Sequence, residues 1–181
     1  MFEFSTAMLR PATSIQEKMI KVNHAGENGA VNIYRGQIVF GRFFGRIQLQ
    51  KLREYESHEK EHREIFAKYL EIHGIRKCIS YHLCGIGGLA LGLITGLLGK
   101  QTIAATTFAV ENVVVKHLQG QLIYLTGNDA VAAECVSRII NDENTHLSES
   151  ESEFNAEKLL NRIAIAVVSF CTEAIIKFGM R

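Results

Sequence analysis

The sequence YESHEKEHREIF, residues 55–66, combines an amphipathic helix pattern with two side chains that can bind a metal ion. Glu59 and His62 are three residues apart, which is nearly one helical turn, so both project from the same side of a helix. Tyr55 and Phe66 lie on the same stripe. The carboxylate and the imidazole are therefore predicted on a face that would otherwise be packed in a core.

A second Glu-x-x-His pair occurs at Glu143 and His146, and two further glutamates repeat the same spacing. Glu27 precedes Glu59 by 32 positions (59 − 27), and Glu111 precedes Glu143 by 32 (143 − 111). Each half of the chain thus places a glutamate on one helix and a Glu-x-x-His pair on the next, antiparallel helix. This is the established ligand set of ferritin-like di-iron and di-manganese bundles.

The remaining sequence favours helices throughout. Pro11 is the single proline, Ser14 and Glu17 form a capping-box signal, and no useful period-2 strand pattern is present. We predict an all-α protein, a ferritin-like four-helix bundle with additional membrane-associated helices, in a single domain of residues 1–181. The predicted helices cover about 14–44, 47–73, 99–126, 129–153 and 156–178, with breaks at Gly41, Gly45, Gly74 and Gly127 and an N-cap at Asp129.

The segment of residues 78–99 contains no Asp, Glu, Lys or Arg. A membrane-spanning helix needs about 20 mainly apolar residues, so this segment is at the margin of that length. Three interpretations stay open: a buried core helix, a spanning helix, and a helix lying in the bilayer surface, which is favoured because so small a chain has little room to enclose it. The last predicted helix is also apolar, but Arg162, Glu173 and Lys177 argue against a span. It is expected to pack in the core, lie at the membrane surface, or both.

Glu111 lies in the sequence TFAVENVVV, residues 107–115, with apolar residues on both sides. A buried carboxylate needs a partner or takes up a proton. Four carboxylates match the charge of two divalent cations, and oxygen and nitrogen ligands without thiolate suit iron or manganese better than a thiolate-rich zinc site. We therefore predict two Fe ions bound by Glu27, Glu59, His62, Glu111, Glu143 and His146, with Glu59 and Glu143 as bridging, catalytic carboxylates and Glu27 and Glu111 as outer ones.

The other histidines are interpreted differently. His24, three residues before Glu27, could orient that ligand or pack between helices. His117 could lie at the edge of the site or form a hydrogen bond to a ligand, and it is a candidate catalytic residue. The histidines expected to be ordinary surface or interfacial residues are His58, His73 and His82.

Composition excludes a nucleic-acid protein, because the net charge is +1 and the basic residues are scattered. A small basic cluster, Arg42, Arg46, Lys51 and Arg53, is interpreted as a solvated helix face, with a phosphate or lipid contact as the alternative. The four cysteines form no C-x-x-C pair and indicate buried or free thiols in a reducing compartment. The N-terminus lacks signal-peptide features, which favours an intracellular protein.

Several motifs together resemble the demethoxyubiquinone hydroxylase (Coq7) family, from about Met19 to the C-terminus. They are VNHAGE at 22–27, IYRGQ at 33–37, EKEH at 59–62, LLGK at 97–100, AVE at 109–111 and DENTH at 142–146. All six ligand positions are filled. The chain departs from many relatives at Asn23, Asn28 and Leu118, where Asp, Tyr and an aromatic residue are common, which bears on the surroundings of the ligands and on electron transfer near His117.

The resemblance implies a carboxylate-bridged di-iron monooxygenase that hydroxylates the ring of a demethoxy polyprenyl benzoquinol with O₂ in ubiquinone biosynthesis. It also implies a monotopic association with the lipid bilayer, and a homo-oligomer or a complex with other ubiquinone-pathway proteins. Without an added leader, the expected location is the cytoplasmic side of a bacterial cell membrane. Two competing hypotheses are a ferritin-type iron-storage or stress protein and a membrane-interaction protein without catalysis.

Overall fold

Six α-helices make up most of the structure, a computed structural model that describes residues 9–41, 43 and 45–181, apart from the side chain of Ile47. The helices are α1 (Ile15–Gly41), α2 (Arg46–Ile72), α3 (Ser80–Leu98), α4 (Lys100–Thr126), α5 (Ala130–Glu151) and α6 (Leu159–Gly179). The only extended pairing among the described residues is an isolated bridge between Arg10 and Ile75. The prediction of an all-α helical bundle is confirmed.

The predicted caps fix several helix ends. Ser14 Oγ accepts a hydrogen bond from the Glu17 N–H (3.2 Å), and the Glu17 carboxylate accepts one from the Ser14 N–H (3.4 Å), which completes the capping box at the start of α1. The Asp129 carboxylate accepts from the Ala132 N–H (2.9 Å) at the start of α5. Beyond the end of α2, Gly74 has a φ of +62°, which a residue with a side chain rarely adopts.

Two boundaries differ from the predictions. Helix α1 ends at Gly41, whereas it was expected to reach residue 44, which lies outside the described residues. Helix α6 begins at Leu159, not at 156, because the preceding turn has its own hydrogen bonds. The Asn155 side chain accepts from the Glu157 N–H (2.8 Å), and such local bonds compete with a helical backbone.

The order of the helices repeats. Helices α2 and α5 begin 84 positions apart (130 − 46), which is also the offset between Glu59 and Glu143 (143 − 59). In each half, a long helix is followed by a second helix that packs against it and by an apolar third helix. The third helix packs on the first one of its own half, α3 on α1 and α6 on α4. Contacts between α2 and α5 join the halves.

A shared core confirms that four helices form one bundle. Ile20 of α1, Phe66 of α2, Leu118 of α4 and Val136 of α5 belong to the same cluster of buried apolar side chains. All four are at most 1% exposed. The core holds α1, α2, α4 and α5 around the residues that the sequence predicts as metal ligands.

Glycines allow α3 to approach α1 closely. A Cβ atom added at Gly92 would collide with the carbonyl oxygen of Ile33, and one added at Gly88 would collide with that of Gly29. The opposite face of α3 is exposed and apolar, as at Ile86. Helix α3 is therefore not a buried core helix, because only its glycine-rich face is covered.

Two described helices, α3 and α6, are long and apolar enough to cross a membrane by length and composition. For α6, the charges of Arg162, Glu173 and Lys177 argued against a span, but its length and composition permit one. Most of α6 is exposed, with Phe170 74% exposed.

Candidate metal centre

The six predicted ligands converge in the middle of the bundle. Each is at most 5% exposed, which is unusual for carboxylates. Helices α1, α2, α4 and α5 bring them together in two overlapping groups whose possible ligand atoms all lie within 4.8 Å of one another. One group contains Glu27, Glu59, His62 and Glu143, and the other contains Glu59, Glu111, Glu143 and His146.

Each histidine lies nearer to the glutamate of the other half than to its own. His62 Nδ1 is 3.1 Å from Glu143 Oε1 and 3.8 Å from Glu59 Oε2. His146 Nδ1 is 3.3 Å from Glu59 Oε1 and 3.7 Å from Glu143 Oε2. Glu59 and Glu143 therefore lie at the centre of the cluster, common to both groups.

Several polar atoms in this cluster are buried without a hydrogen bond. They are both carboxylate oxygens of Glu59, Glu143 Oε2 and His146 Nδ1. A buried polar atom left without a partner costs about 1–3 kcal/mol, and more when it is charged. These donor atoms of oxygen and nitrogen fit a divalent cation, which would give each of them a partner.

Burial and neighbouring charges shift the pKa values of Glu27, Glu111 and Glu59. Burial, followed by repulsion from Glu143 and Glu59, raises the pKa of Glu27 well above its ordinary value. The pKa of Glu111 is raised in the same way. Burial opposes the ionisation of Glu59, but the neighbouring His146 and His62 imidazoles lower its pKa below the ordinary value. The outer glutamates thus favour a proton when no cation is bound, whereas Glu59 is a carboxylate.

The two imidazoles favour the protonated form. Burial opposes their charge, but the hydrogen bond to Glu143 and the nearby Glu59 carboxylate raise the pKa of His62 to about 12. The same two carboxylates raise the pKa of His146 to about 9. Protons on these groups supply positive charge that the buried carboxylates need, and metal cations can replace them.

His62 and His146 each have a second polar partner that the sequence did not predict. His62 Nε2 lies 3.1 Å from Asp142 Oδ2, and His146 Nε2 lies 3.1 Å from His58 Nδ1. His58 is half-buried between α2 and α5, so it is interfacial as predicted, but its contact with a predicted ligand was not expected. A sequence signal existed, because Asp142 and His58 each immediately precede the glutamate of a Glu-x-x-His pair.

A hydrogen-bonded tyrosine lies beside the same histidine. The Tyr55 ring centre is 4.0 Å from that of His146, and the Tyr55 hydroxyl donates to Glu149 (2.6 Å). Lys51 forms an ion pair with Glu149 at 2.8 Å. Lys51, which was expected on a solvated helix face, is therefore ion-paired and only partly exposed, whereas Glu149 is exposed. Within the predicted basic cluster, Arg46 and Arg53 are exposed as expected, and Arg42 lies outside the described residues.

His24 and His117 lie near the cluster but have other partners. His24 is buried, and its ring centre is 4.8 Å from that of Tyr81 on α3, which supports the helix-packing alternative. His117 Nε2 is 3.1 Å from Glu173 Oε1 on α6. His117 lines a cavity beside the cluster, so it lies at the edge of the site as predicted.

The remaining predictions concern two histidines and the four cysteines. His82 is exposed and His73 is half-buried, with its Nδ1 2.8 Å from the backbone oxygen of Tyr69, as expected for surface residues. All four cysteines are free thiols, and the buried ones are Cys78 and Cys84.

An apolar cavity of about 370 Å³ connects the cluster with α3 and α6. Glu27, Glu59, Glu111 and Glu143 are part of its lining. The rest of its wall is almost entirely apolar and is contributed by α1, α3, α4 and α6; Asn23, His117 and Thr172 are among its few polar residues. The cavity can therefore admit an apolar organic molecule to the carboxylates.

A four-helix core around four buried carboxylates and two imidazoles defines an all-α bundle protein with a buried cluster that could hold metal. A family profile described as "Ubiquinone biosynthesis protein COQ7" matches residues 14–179. The chain belongs to this family, and the resemblance inferred from the motifs is confirmed.

Individual relatives agree with the family. The chain is 32% identical over 136 residues to the "NADPH-dependent 3-demethoxyubiquinone 3-hydroxylase, mitochondrial" of Dictyostelium discoideum, covering 74% of this chain and 62% of that protein. It is 30% identical over 166 residues to the protein of that name from Caenorhabditis elegans, covering 87% of each. A bacterial relative, the "3-demethoxyubiquinol 3-hydroxylase" of Rhodospirillum rubrum, is 35% identical over 112 residues, or 61% of this chain and 51% of that one. The chain thus spans less than two thirds of the first and last of these.

Proposed function

We propose that this chain is a di-iron monooxygenase that adds a ring hydroxyl to a demethoxy polyprenyl benzoquinol with O₂ in ubiquinone biosynthesis. The observation that carries the proposal is the apolar cavity whose lining includes four buried carboxylates. The names of the relatives describe this chemistry on this class of substrate. Residues 1–181 would form one ferritin-like domain.

The cluster would hold two iron ions in its two overlapping groups. Glu27 and His62 would bind one ion, Glu111 and His146 would bind the other, and Glu59 and Glu143 would be shared between them. The unpartnered buried atoms of Glu59, Glu143 and His146 support this assignment. When bound, the iron pair supplies the site and the electrons for the activation of O₂, which side chains alone cannot provide.

The residues of the chain would bind and orient the quinol. The apolar cavity wall favours the ring and the first part of the prenyl tail, and it keeps bulk water from the carboxylates. His117, hydrogen-bonded to Glu173, lies among the few polar groups of that wall and is proposed to hold a ring oxygen of the quinol. In the overall reaction, one oxygen atom replaces a ring hydrogen as a hydroxyl. The other leaves as water after taking up two electrons and two protons, which come from an external reductant and solvent or from the quinol.

The same proposal gives the protein a peripheral position on the cytoplasmic side of a bacterial cell membrane. A polyprenyl substrate resides in the bilayer, and the cavity is walled by the two helices with exposed apolar faces. Leu83, Ile86 and Leu97 of α3 and Phe170 of α6 are each at least 63% exposed. Large exposed apolar surfaces mark membrane or protein interaction sites. A homo-oligomer or a ubiquinone-pathway complex is proposed from the family resemblance alone.

The test is to purify the chain, measure iron per chain and assay hydroxylation of a demethoxyubiquinol by mass spectrometry. We expect about two irons per chain. When the reaction is run under ¹⁸O₂, the new ring hydroxyl should carry ¹⁸O, as for a di-iron monooxygenase. Glu111→Gln should lose about one of the two irons and the activity, because Glu111 belongs to one group only. Glu61→Gln, an exposed residue of α2, should retain both irons and the activity.

Two results would contradict the proposal in different ways. A folded protein that takes up no iron would remove the di-iron enzyme. Iron uptake and oxidation without any hydroxylated quinol would instead favour a ferritin-type storage protein.

A further inference from the structure

The two halves of the candidate metal centre are related by one offset in the sequence. Adding 84 to His58, Glu59 and His62 gives positions 142, 143 and 146. The glutamates and the ligand histidines are identical under this offset, but His58 corresponds to Asp142. The residue that precedes each central glutamate is therefore the point at which the repeat differs.

Both of these residues contact the ligand histidine of the opposite half. The outward nitrogen of His62 meets the carboxylate of Asp142 at 3.1 Å, and the outward nitrogen of His146 meets His58 at 3.1 Å. The inward nitrogen of each ligand histidine, Nδ1, faces Glu59 and Glu143. The two contacts are thus equivalent in position and different in chemistry.

The His58–His146 contact has the geometry of a hydrogen bond in the plane of the rings. The ring planes are 5° apart, and the ring centres are 5.4 Å apart. Because Nδ1 of His58 and Nε2 of His146 are only 3.1 Å apart, the nitrogens point at each other instead of stacking face to face. Such a bond fixes the rotation of the His146 ring, and with it the direction of its inward nitrogen.

A carboxylate and an imidazole act differently on a metal-binding histidine. A carboxylate that accepts the outer N–H strengthens that bond by its charge and raises the basicity of the nitrogen that binds the metal. An imidazole acceptor is uncharged and gives a weaker effect. The metal-binding nitrogen of His62 is therefore more basic than that of His146, and His62 is the stronger metal ligand of the two.

We propose that His58 is a positioning residue that acts through His146 and that the exchange of Asp for His at this place makes the two metal positions unequal. The position that includes His62 and Glu27 binds its ion more tightly than the one that includes His146 and Glu111. This inference rests on the proposed di-metal centre and goes beyond it, since it assigns an order of binding and the residue that sets it.

The experiment titrates the metal-free protein with Co²⁺ alone and follows the visible absorption of the bound ion, so it does not depend on activity. We expect the wild type to bind two ions in two resolved steps, about tenfold or more apart in dissociation constant, since removal of such outer partners costs 10–100-fold in affinity. His58→Asp should bring the two steps to within about threefold, and His58→Ala should weaken only the second step about tenfold. Asp142→Asn should weaken the first.

Two further variants separate positioning from general damage. His58→Gln can keep a hydrogen bond to His146, so it should resemble the wild type even if His58→Ala folds poorly. Glu54→Gln changes another residue of the small cavity that contains His58 and should leave both steps unchanged. Helix content measured by circular dichroism reports the fold of each variant.

Two equal Co²⁺ sites in the wild type, or binding steps that do not respond to His58→Asp and His58→Ala, would overturn the inference while leaving the metal centre intact. A wild-type protein that binds no Co²⁺ and no Fe²⁺ would overturn both the inference and the proposed function.

Discussion

The Glu143 carboxylate lies 3.1 Å from Nδ1 of His62, although the two residues are 81 positions apart in the chain. The contact crosses from α5 to α2, and therefore joins the two halves of the bundle at the candidate metal centre. Because Glu59 makes the reciprocal approach to His146 at 3.3 Å, each half completes the site of the other. Neither half is expected to hold a metal ion with the full set of ligands by itself.

Removal of a shared carboxylate should affect both metal positions, and removal of an outer one should affect mainly one. We expect Glu143→Ala to retain almost no iron and Glu27→Ala to retain about one ion per chain, because only Glu143 belongs to both groups. Iron per chain, measured by elemental analysis after anaerobic loading, checks this. Equal retention by the two variants would contradict the sharing of Glu143.

Metal binding should release protons, and the affinity should fall as the pH falls. The pKa values of His62 and His146 are raised to about 12 and about 9, so both histidines hold a proton at neutral pH without a metal. Burial and neighbouring carboxylates also raise the pKa values of Glu27 and Glu111, which favours their protonated forms. Ligands must lose these protons to bind, so we expect at least about two protons released for two ions at pH 7, one from each histidine. Calorimetric titrations in buffers of different ionisation enthalpy measure this number. A release near zero would show that the ligands are already deprotonated.

Close packing of α3 on α1 should make one glycine intolerant of a methyl group. We expect Gly92→Ala to lower the free energy of unfolding by about 1–3 kcal/mol, because the new Cβ collides with the Ile33 carbonyl oxygen. A Cβ at Gly87 of the same helix meets no atom within 4 Å, so Gly87→Ala should be neutral or stabilising by up to about 1 kcal/mol. Denaturant titrations of both variants give the difference, and equal stabilities would contradict the close approach.

Membrane binding should depend on the exposed apolar faces of α3 and α6. The double variant Ile86→Ser, Phe170→Ser removes side chains that are 72% and 74% exposed, and we expect it to shift from liposome-bound to free in a flotation assay. Ile123→Ser is the control, because Ile123 is 82% exposed on α4, outside those two helices. Unchanged flotation of the double variant, or an equal loss in the control, would count against these faces as the membrane contact.

The sequence was most informative where local chemistry decides the structure. Helix ends at Ser14 and Asp129 follow from side chains that bond to backbone groups three residues away, so they are visible in the sequence. The repeated 32-residue spacing predicted which six side chains the bundle brings together. In contrast, the exact start of α6 depends on hydrogen bonds made by Asn155 in a turn, for which the sequence has no single signal.

By itself, the sequence determined the helices, the six clustered residues and the family, because helical periodicity and residue spacing are one-dimensional properties. Only the tertiary structure decided which side chains touch across the two halves. It placed His58 against His146, Asp142 against His62, and His117 against Glu173, and it opened an apolar cavity between α3 and α6. These contacts join residues 56 to 88 positions apart, and such pairings depend on how whole helices pack, which no local pattern encodes.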